Sequence, residues 1–383
     1  MNKYGLIGKN IEYSLSKDIY DYLSNKYNIN MEYNILNCNK LINNELKGLT
    51  GYNITTPYKN DIIKHLKSLN PSAKYFNSVN CVYNNKGYNF DIYGFVYTLK
   101  KLNIKLNKIN RIVILGNGNM GKMIYKYFKY YNKKVIIVSR TNRNYSEIYG
   151  DIVINSSLIG HGKYENDIIL DEKYVKKFKY VIDLNYNPNI SKLLLFAKKN
   201  EIPNINGLYM LIYQAIMAFN LWHNFNLNIE KEVESIKLYL NSKLKGNCFI
   251  GMPFSGKSTL IKKINGIDLD EYIMMREKKT IKQIFEQDGE KHFRFLEYKY
   301  LEELINKNKK NIALGGGIIN NFNTLLLLKN YNIYYLDVPL EILLKRYKID
   351  ENRPLLKNKK DLIKLYNIRK NKYKFYQNIK INI

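Results

Sequence analysis

Short, nearly unbroken apolar runs alternate along this chain with longer amphipathic stretches. Runs this short suit strands buried on both faces, and helical spacing of apolar positions between them suits covering helices. The pattern predicts strands over Tyr4–Ile7, Arg111–Leu115, Lys134–Val138, Ile152–Asn155, Tyr180–Leu184, Cys248–Ile250, Asn311–Leu314 and Ile333–Val338. Strands alternating with helices define an α/β class. Two of the strands run directly into a glycine loop and then a helix, at Gly116 and at Gly251. A helix start in that position offers free N–H groups and a positive dipole end, which is what a phosphate needs. Two such loops, far apart, imply two nucleotide sites.

A polar helix predicted over Glu230–Leu244 ends at Lys245-Gly246-Asn247, and a new strand opens at once, so the main junction is expected there. A second division is expected near Tyr97–Asn110, where an amphipathic helix precedes the first glycine loop. The longest apolar stretch, Leu208–Trp222, is interrupted by Gln214 and Asn220 and falls short of the ~18 residues of a membrane span. No targeting segment is expected ahead of Tyr4, and a cytoplasmic location follows as an expectation.

Composition adds one question. The 383 residues carry 62 Lys+Arg against 33 Asp+Glu, a net charge of +29. The lysines are spread along the whole chain among Asn, Ile and Tyr, the residues that AT-rich codons specify. No basic arm or RNA motif accompanies them, so the excess reads as compositional, and no nucleic-acid partner is expected. A basic protein still favours anionic small substrates. Three cysteines, widely spaced, suggest neither a disulfide framework nor a metal knuckle. The four histidines are too scattered for a local zinc signature and read as structural or surface residues.

The first glycine loop, Gly116-Asn117-Gly118-Asn119-Met120-Gly121, has the G-x-G-x-x-G spacing of a dinucleotide site. The next strand ends Val138-Ser139-Arg140-Thr141-Asn142-Arg143, with no acid to grip a ribose 2′-hydroxyl and two arginines suited to a 2′-phosphate. NADP(H) is therefore expected, on Gly116, Gly118, Asn119, Met120, Gly121, Ser139, Arg140, Thr141 and Arg143, with Gly207 nearby.

Other segments of this part resemble shikimate dehydrogenase. They are Tyr4–Gly8 with Ser14-Leu15-Ser16, Asn53-Ile54-Thr55-Thr56-Pro57-Tyr58-Lys59, Val79-Asn80-Cys81, Asn89-Phe90-Asp91-Ile92-Tyr93-Gly94, Asp183–Pro188 with Tyr186, and Gly207–Ala215 with Gln214. Phe90 and Cys81 stand where that family has threonines. The resemblance implies reduction of 3-dehydroshikimate to shikimate. Chemically, a ketone that receives hydride needs a proton donor, and Lys59 is the candidate, held by Asp91 through a charge-assisted hydrogen bond. Ser14 and Ser16 suit a carboxylate; Thr55, Asn80, Tyr186 and Gln214 suit a polyhydroxylated ring.

Gly251-Met252-Pro253-Phe254-Ser255-Gly256-Lys257-Ser258 fits the P-loop pattern in full. Gly251, Ser255, Gly256, Lys257, Ser258 and Thr259 are expected on ATP, with Ser258 holding Mg²⁺. Asp268 and Asp270, two apart, are expected to share one face of a strand, one supporting Mg²⁺ through water and the other orienting the attacking hydroxyl. Together with Phe293–Glu297, Gly315-Gly316-Gly317, Arg353-Pro354-Leu355-Leu356 and Arg369–Tyr373, this part resembles shikimate kinase. The resemblance implies shikimate on Asp270, Arg294, Gly316, Gly317 and Arg369, Arg353 in a lid, Arg346 near the nucleotide, and Asp268 as the water-mediated metal residue.

The expected architecture is thus a three-layer substrate domain (1–97 with 208–244), an NADP-binding Rossmann domain (98–207) and a P-loop kinase domain with a parallel sheet (247–383). The substrates are 3-dehydroshikimate, shikimate and ATP, with no membrane and no obligatory protein partner. Two other readings are a quinate dehydrogenase using NAD fused to the kinase, and a basic nucleic-acid-binding P-loop protein with vestigial sites. The missing acid after Val138 opposes the first; intact Lys59, Asp91, Lys257 and Asp270 oppose the second.

Overall fold

The computed structural model describes residues 2–41, 46, 48–139, 145–350, 353–377 and 379–382. The chain divides into two compact units, Met1–Ser242 and Lys243–Ile383.

The first unit contains two sheets. One is six-stranded and mixed, built from β1 (Asn2–Gly8), β2 (Met31–Asn37), β3 (Gly51–Ile54), β4 (Ser68–Leu69), β5 (Cys81–Tyr83) and β6 (Lys86–Tyr88), in the order β2-β1-β3-β5-β6-β4. Successive strand residues point to opposite faces, and β1 shows the consequence. Tyr4 and Leu6 enter a core with the helices Ser16–Lys26, Leu208–His223 and Ile229–Ser242, whereas Ile7 enters a second core with Ile54, Tyr58 and Ile62. The sheet is covered on both faces, a three-layer arrangement. In the first core the hydroxyls of Tyr20 and Tyr33 both donate to Asn53 Oδ1, at 2.9 and 2.8 Å.

The second sheet is parallel: β7 (Arg111–Leu115), β8 (Lys134–Val138), β9 (Ile152–Asn155), β10 (Tyr180–Asp183) and β11 (Asn204–Asn206), in the order β11-β10-β9-β7-β8. Ile112, Ile114 and Ile154 face one core, and Val113, Leu115 and Val153 the other. The inner strands β7, β9 and β10 are buried on both faces, so their sequences show continuous apolar runs rather than alternation. Because β8 and β9 flank β7 on opposite sides, the strand order reverses at β7. Ligands of open α/β sheets bind at such a switch point, and the loop Gly116–Gly121 begins there. Its helix, Asn119–Tyr130, begins within the loop itself. The helices Asp91–Lys101 and Leu208–His223 cross closely, since a Cβ on Gly94 would lie 2.6 Å from the Met210 carbonyl.

The second unit holds a parallel sheet of β12 (Gly246–Gly251), β13 (Ile267–Asp268), β14 (Asn311–Ala313), β15 (Tyr331–Asp337) and β16 (Ile379–Asn382), ordered β13-β14-β12-β15-β16. One expectation is corrected here. Asp268 and Asp270 do not share a strand face, because β13 stops at Asp268 and a helix, Leu269–Glu277, begins at once. The Asp268 side chain is the cause: its Oδ1 accepts the Asp270 N–H at 3.0 Å and caps that helix.

Left-handed backbone is met mainly by asparagine. Among the described residues, ten of the thirteen non-glycine positions with positive φ are Asn. Asn77 and Asn224 close the helices Pro71–Phe76 and Leu208–His223 in this way, at φ 52° and 54°. No helix among the described residues is long and apolar enough to cross a membrane.

Candidate active sites

Lys59 follows β3 in a tightly tied segment. The buried Tyr58 donates its hydroxyl to the Cys38 carbonyl at 2.8 Å, and the Lys59 carbonyl accepts the Val79 N–H at 2.9 Å. Asp91 opens the helix Asp91–Lys101, where a helix dipole favours the carboxylate. Lys59 Nζ donates to Asp91 Oδ2 at 2.6 Å, with both side chains more than nine-tenths buried. Asn80 Nδ2 lies 3.0 Å from Asp91 Oδ1 and 3.2 Å from Gln214 Oε1, while Asn80 Oδ1 accepts the Phe90 N–H at 2.7 Å. Gln214 spends its own amide N–H on the Leu211 carbonyl. Four distant segments thus meet in one polar chain. The small protein-protein distances within it leave Lys59 with one charged partner and two further protons to offer.

A cavity of about 210 Å³ collects Ser14, Ser16, Thr55, Lys59, Asn80, Asp91, Tyr186 and Gln214 on its walls. Ser14 Oγ donates to Ser16 Oγ at 3.0 Å and accepts the Ser16 N–H at 3.2 Å. Burial pushes the Tyr186 hydroxyl up. Behind this wall Asp183 accepts from Ser191 Oγ, Asn155 Nδ2 and the Asn185 N–H, fixing the two loops that follow β9 and β10. Burial lifts its carboxyl to about 7.

A second cleft, of about 720 Å³, is lined by Gly116, Gly118, Asn119, Met120 and Ser139 and shares Met120, Ser156, Ser157 and Leu158 with the first. Met120 Sδ lies 3.9 Å from Lys59 Nζ, so the glycine loop reaches the lysine. A Cβ on Gly121 would overlap the Gly116 carbonyl, the close helix–strand packing that this loop type requires, while Gly118 faces open space. Gly207 lines the substrate cavity. Arg140, Thr141 and Arg143 lie outside the described residues. Sequence reasoning missed His161: expected as structural or surface, it stands on the substrate cavity wall and is 6% exposed.

In the second unit the P-loop closes on itself. Lys257 Nζ donates to the carbonyls of Gly251 and Met252 at 2.8 and 3.0 Å, and burial lowers its pKa to about 8. Ser255 is buried, Gly256 adopts φ 95°, and Thr259 is exposed in the first turn of the helix Lys257–Lys263. Ser258 Oγ donates to Asp268 Oδ2 at 2.7 Å. This hydroxyl–carboxylate pair is an all-oxygen donor set, the kind Mg²⁺ prefers. Arg346 Nη1 lies 3.5 Å from the Phe254 carbonyl, and the Arg353 guanidinium stacks over the Phe254 ring at 5.1 Å.

Asp270, Arg294, Gly316, Gly317, Arg353 and Arg369 line one small cavity of about 70 Å³. Tyr373 donates its hydroxyl to the Gly316 carbonyl at 2.8 Å, holding that backbone under the buried Arg369. Asp270 Oδ1 is buried without a hydrogen-bond partner among the described residues, and burial, with Asp268 beside it, lifts the carboxyl to about 6. Glu297 was not singled out from the sequence. It accepts Arg294 Nη1 at 2.6 Å, and burial raises its carboxyl to about 7. The three-residue spacing to Arg294 on one helix was the available signal.

A lysine beside a glycine-loop cleft, and a P-loop beside an acid and three arginines, fit an oxidoreductase and a phosphotransferase. Comparison with known proteins narrows both. Residues 6–82 match the family model of the shikimate dehydrogenase substrate binding domain, and residues 255–383 that of shikimate kinase. The NADP(+) shikimate dehydrogenase of Clostridium perfringens strain 13 is 30% identical over 264 residues, which cover 61% of this chain and 97% of that protein. That of Clostridium botulinum strain Loch Maree is 35% identical over 247 residues, covering 57% and 95%. Among solved structures, a chorismate mutase/shikimate 5-dehydrogenase fusion protein from Clostridium acetobutylicum aligns with TM-score 0.57 at 28% identity, covering 63% of this chain and 98% of that one. Shikimate dehydrogenase 1 from Peptoclostridium difficile aligns with TM-score 0.55 at 27% identity, covering 63% and 100%. The chain belongs to the shikimate dehydrogenase family and carries a shikimate kinase domain behind it.

Proposed function

We propose that this chain performs two consecutive steps of aromatic biosynthesis: NADPH-dependent reduction of 3-dehydroshikimate to shikimate, then ATP-dependent phosphorylation of shikimate at its 3-hydroxyl. The observation that carries the reading is the Lys59–Asp91 pair, at 2.6 Å, on the wall of a cavity that shares Met120 with the glycine-loop cleft. The organisation that goes with it is a substrate domain of 1–97 with 208–244, a dinucleotide domain of 98–207 and a kinase domain of 247–383.

NADPH, when bound, supplies hydride. Lys59 polarises the ketone by its charge and gives the proton that the new alkoxide needs; Asp91 keeps that ammonium in place and accepts a ring hydroxyl. Asn80, Thr55 and Gln214 orient the remaining hydroxyls, and Ser14, Ser16 and Tyr186 the carboxylate. Arg140, with Thr141, Arg143 and Ser139, receives the 2′-phosphate.

In the kinase half, Asp270 accepts the hydrogen of the attacking hydroxyl, while Arg294 and Arg369 clasp shikimate. Lys257 and the amides around Ser255, Gly256 and Thr259 hold the phosphates, with Arg346 and Arg353 over the nucleotide. Mg²⁺ offsets phosphate charge when bound; Ser258 and, through water, Asp268 are the residues to hold it. A cytoplasmic enzyme without nucleic-acid, membrane or obligatory protein partners goes with this reading. The purified chain given 3-dehydroshikimate, NADPH and Mg-ATP tests it: NADPH is consumed and shikimate 3-phosphate accumulates. Absence of either product overturns the corresponding half.

A further inference from the structure

Among the described residues, His161 is the one buried titratable group on the reductase cavity to which the reaction above assigns nothing. It follows Gly160 in the loop after β9, and the ring is fixed from three sides. Nδ1 meets the Asn187 carbonyl, the Tyr13 ring packs edge-on with its centroid 4.1 Å away, and the Tyr186 ring lies 6.4 Å away. Nε2 is buried and has no hydrogen-bond partner among the described residues. A buried polar atom left this way is unfavourable unless a ligand completes it.

The position says which ligand group. His161 lines the substrate cavity and not the glycine-loop cleft, so it addresses the substrate end. Tyr13 precedes Ser14, and the Tyr186 hydroxyl engages the Ser14 side chain and the Leu15 backbone. The imidazole therefore stands at the Ser14–Ser16 end, away from Lys59 and Asp91 as partners. Nε2 is the ring nitrogen left for a ligand, and an N–H there suits an anion. The other titratable groups on this wall are Tyr13, Tyr186, Lys59 and Asp91, and Asp183 lies behind Gly160.

We propose that His161 Nε2 is an additional anchor for the substrate carboxylate, supplementing the serine pair with a charge-assisted hydrogen bond. The inference rests on the reductase reading. The test compares wild type, His161→Gln and His161→Leu in the full chain, with 3-dehydroshikimate and with its uncharged methyl ester. The expected result is a KM for the acid raised about 10-fold or more in the leucine variant, partial recovery in the glutamine variant, and kcat within about threefold. The KM for the ester and for NADPH stays at the wild-type value in both variants. An unchanged acid KM, or equal rises for acid and ester, overturns the carboxylate assignment. If the leucine variant does not fold, the glutamine variant alone decides by the same acid-to-ester ratio. A wild-type chain that reduces neither compound refutes the reductase reading instead.

Discussion

Lys59 Nζ and Asp91 Oδ2 are 2.6 Å apart, and Asn80 occupies the other carboxylate oxygen at 3.0 Å. Each carboxylate oxygen thus has one protein partner, and the ammonium is held in a single place on the cavity wall. A lysine tethered this way is positioned for proton delivery rather than left as a mobile surface charge.

Lys59→Ala is expected to lower the kcat of ketone reduction by about 10²–10⁴-fold, the usual share of a general acid, with kinase turnover near wild type. Steady-state assays of both reactions on the same preparation check this. Equal loss of both activities points to misfolding, and an unaffected reductase removes Lys59 from the mechanism.

NADPH should exceed NADH in kcat/KM by about 10–100-fold, the worth of charge-assisted contacts to a 2′-phosphate. Arg140→Ala should narrow that ratio more than Arg143→Ala. Equal use of the two cofactors by the wild type would sink the argument drawn from the strand end at Val138-Ser139.

In the proposed kinase reaction Asp270 accepts a hydroxyl proton and must be ionised, and burial lifts its carboxyl to about 6. Kinase kcat/KM should therefore fall as pH drops through about 6, because the protonated acid has nothing to accept with. Asp270→Asn should remove most turnover, by on the order of 10²-fold or more, while ATP still binds through Lys257 and the loop amides. A pH–rate profile, with nucleotide binding measured in parallel, decides the matter.

A Cβ on Gly317 would overlap the Arg294 guanidinium, the far end of a flexible side chain. Gly317→Ala should therefore displace that group rather than disturb the backbone. The KM for shikimate should rise roughly tenfold. The melting temperature should move little. A large loss of stability with an unchanged KM would contradict the placement of Arg294.

The strands that carry the first glycine loop and its neighbours were legible almost residue for residue. Arg111–Leu115 and Ile152–Asn155 are buried on both sides and Lys134–Val138 is half-buried, and in each the apolar run marks the strand. The acidic pair was misjudged, because a two-residue strand leaves too little pattern and the Asp268 cap turns the chain helical. His161 was out of reach for another reason: its significance lies in Nε2, a polar atom whose burial only tertiary packing creates. Glu297 was within reach, since its contact with Arg294 at 2.6 Å follows from three-residue spacing on one helix.

The asparagines at left-handed turns bear on how such a composition is tolerated. Glycine codons are rich in guanine and asparagine codons are not, and Asn is the side chain that adopts positive φ most readily after glycine. Where a turn needs only that backbone angle, as at Asn77 and Asn224, asparagine meets the need with the nucleotides such a genome favours. It cannot serve where the absence of a side chain is itself required, as at Gly121 against the Gly116 carbonyl or Gly207 against the Leu184 carbonyl. Glycines of this second kind, Gly121 and Gly207, stand at the first nucleotide loop and on the substrate cavity beside it.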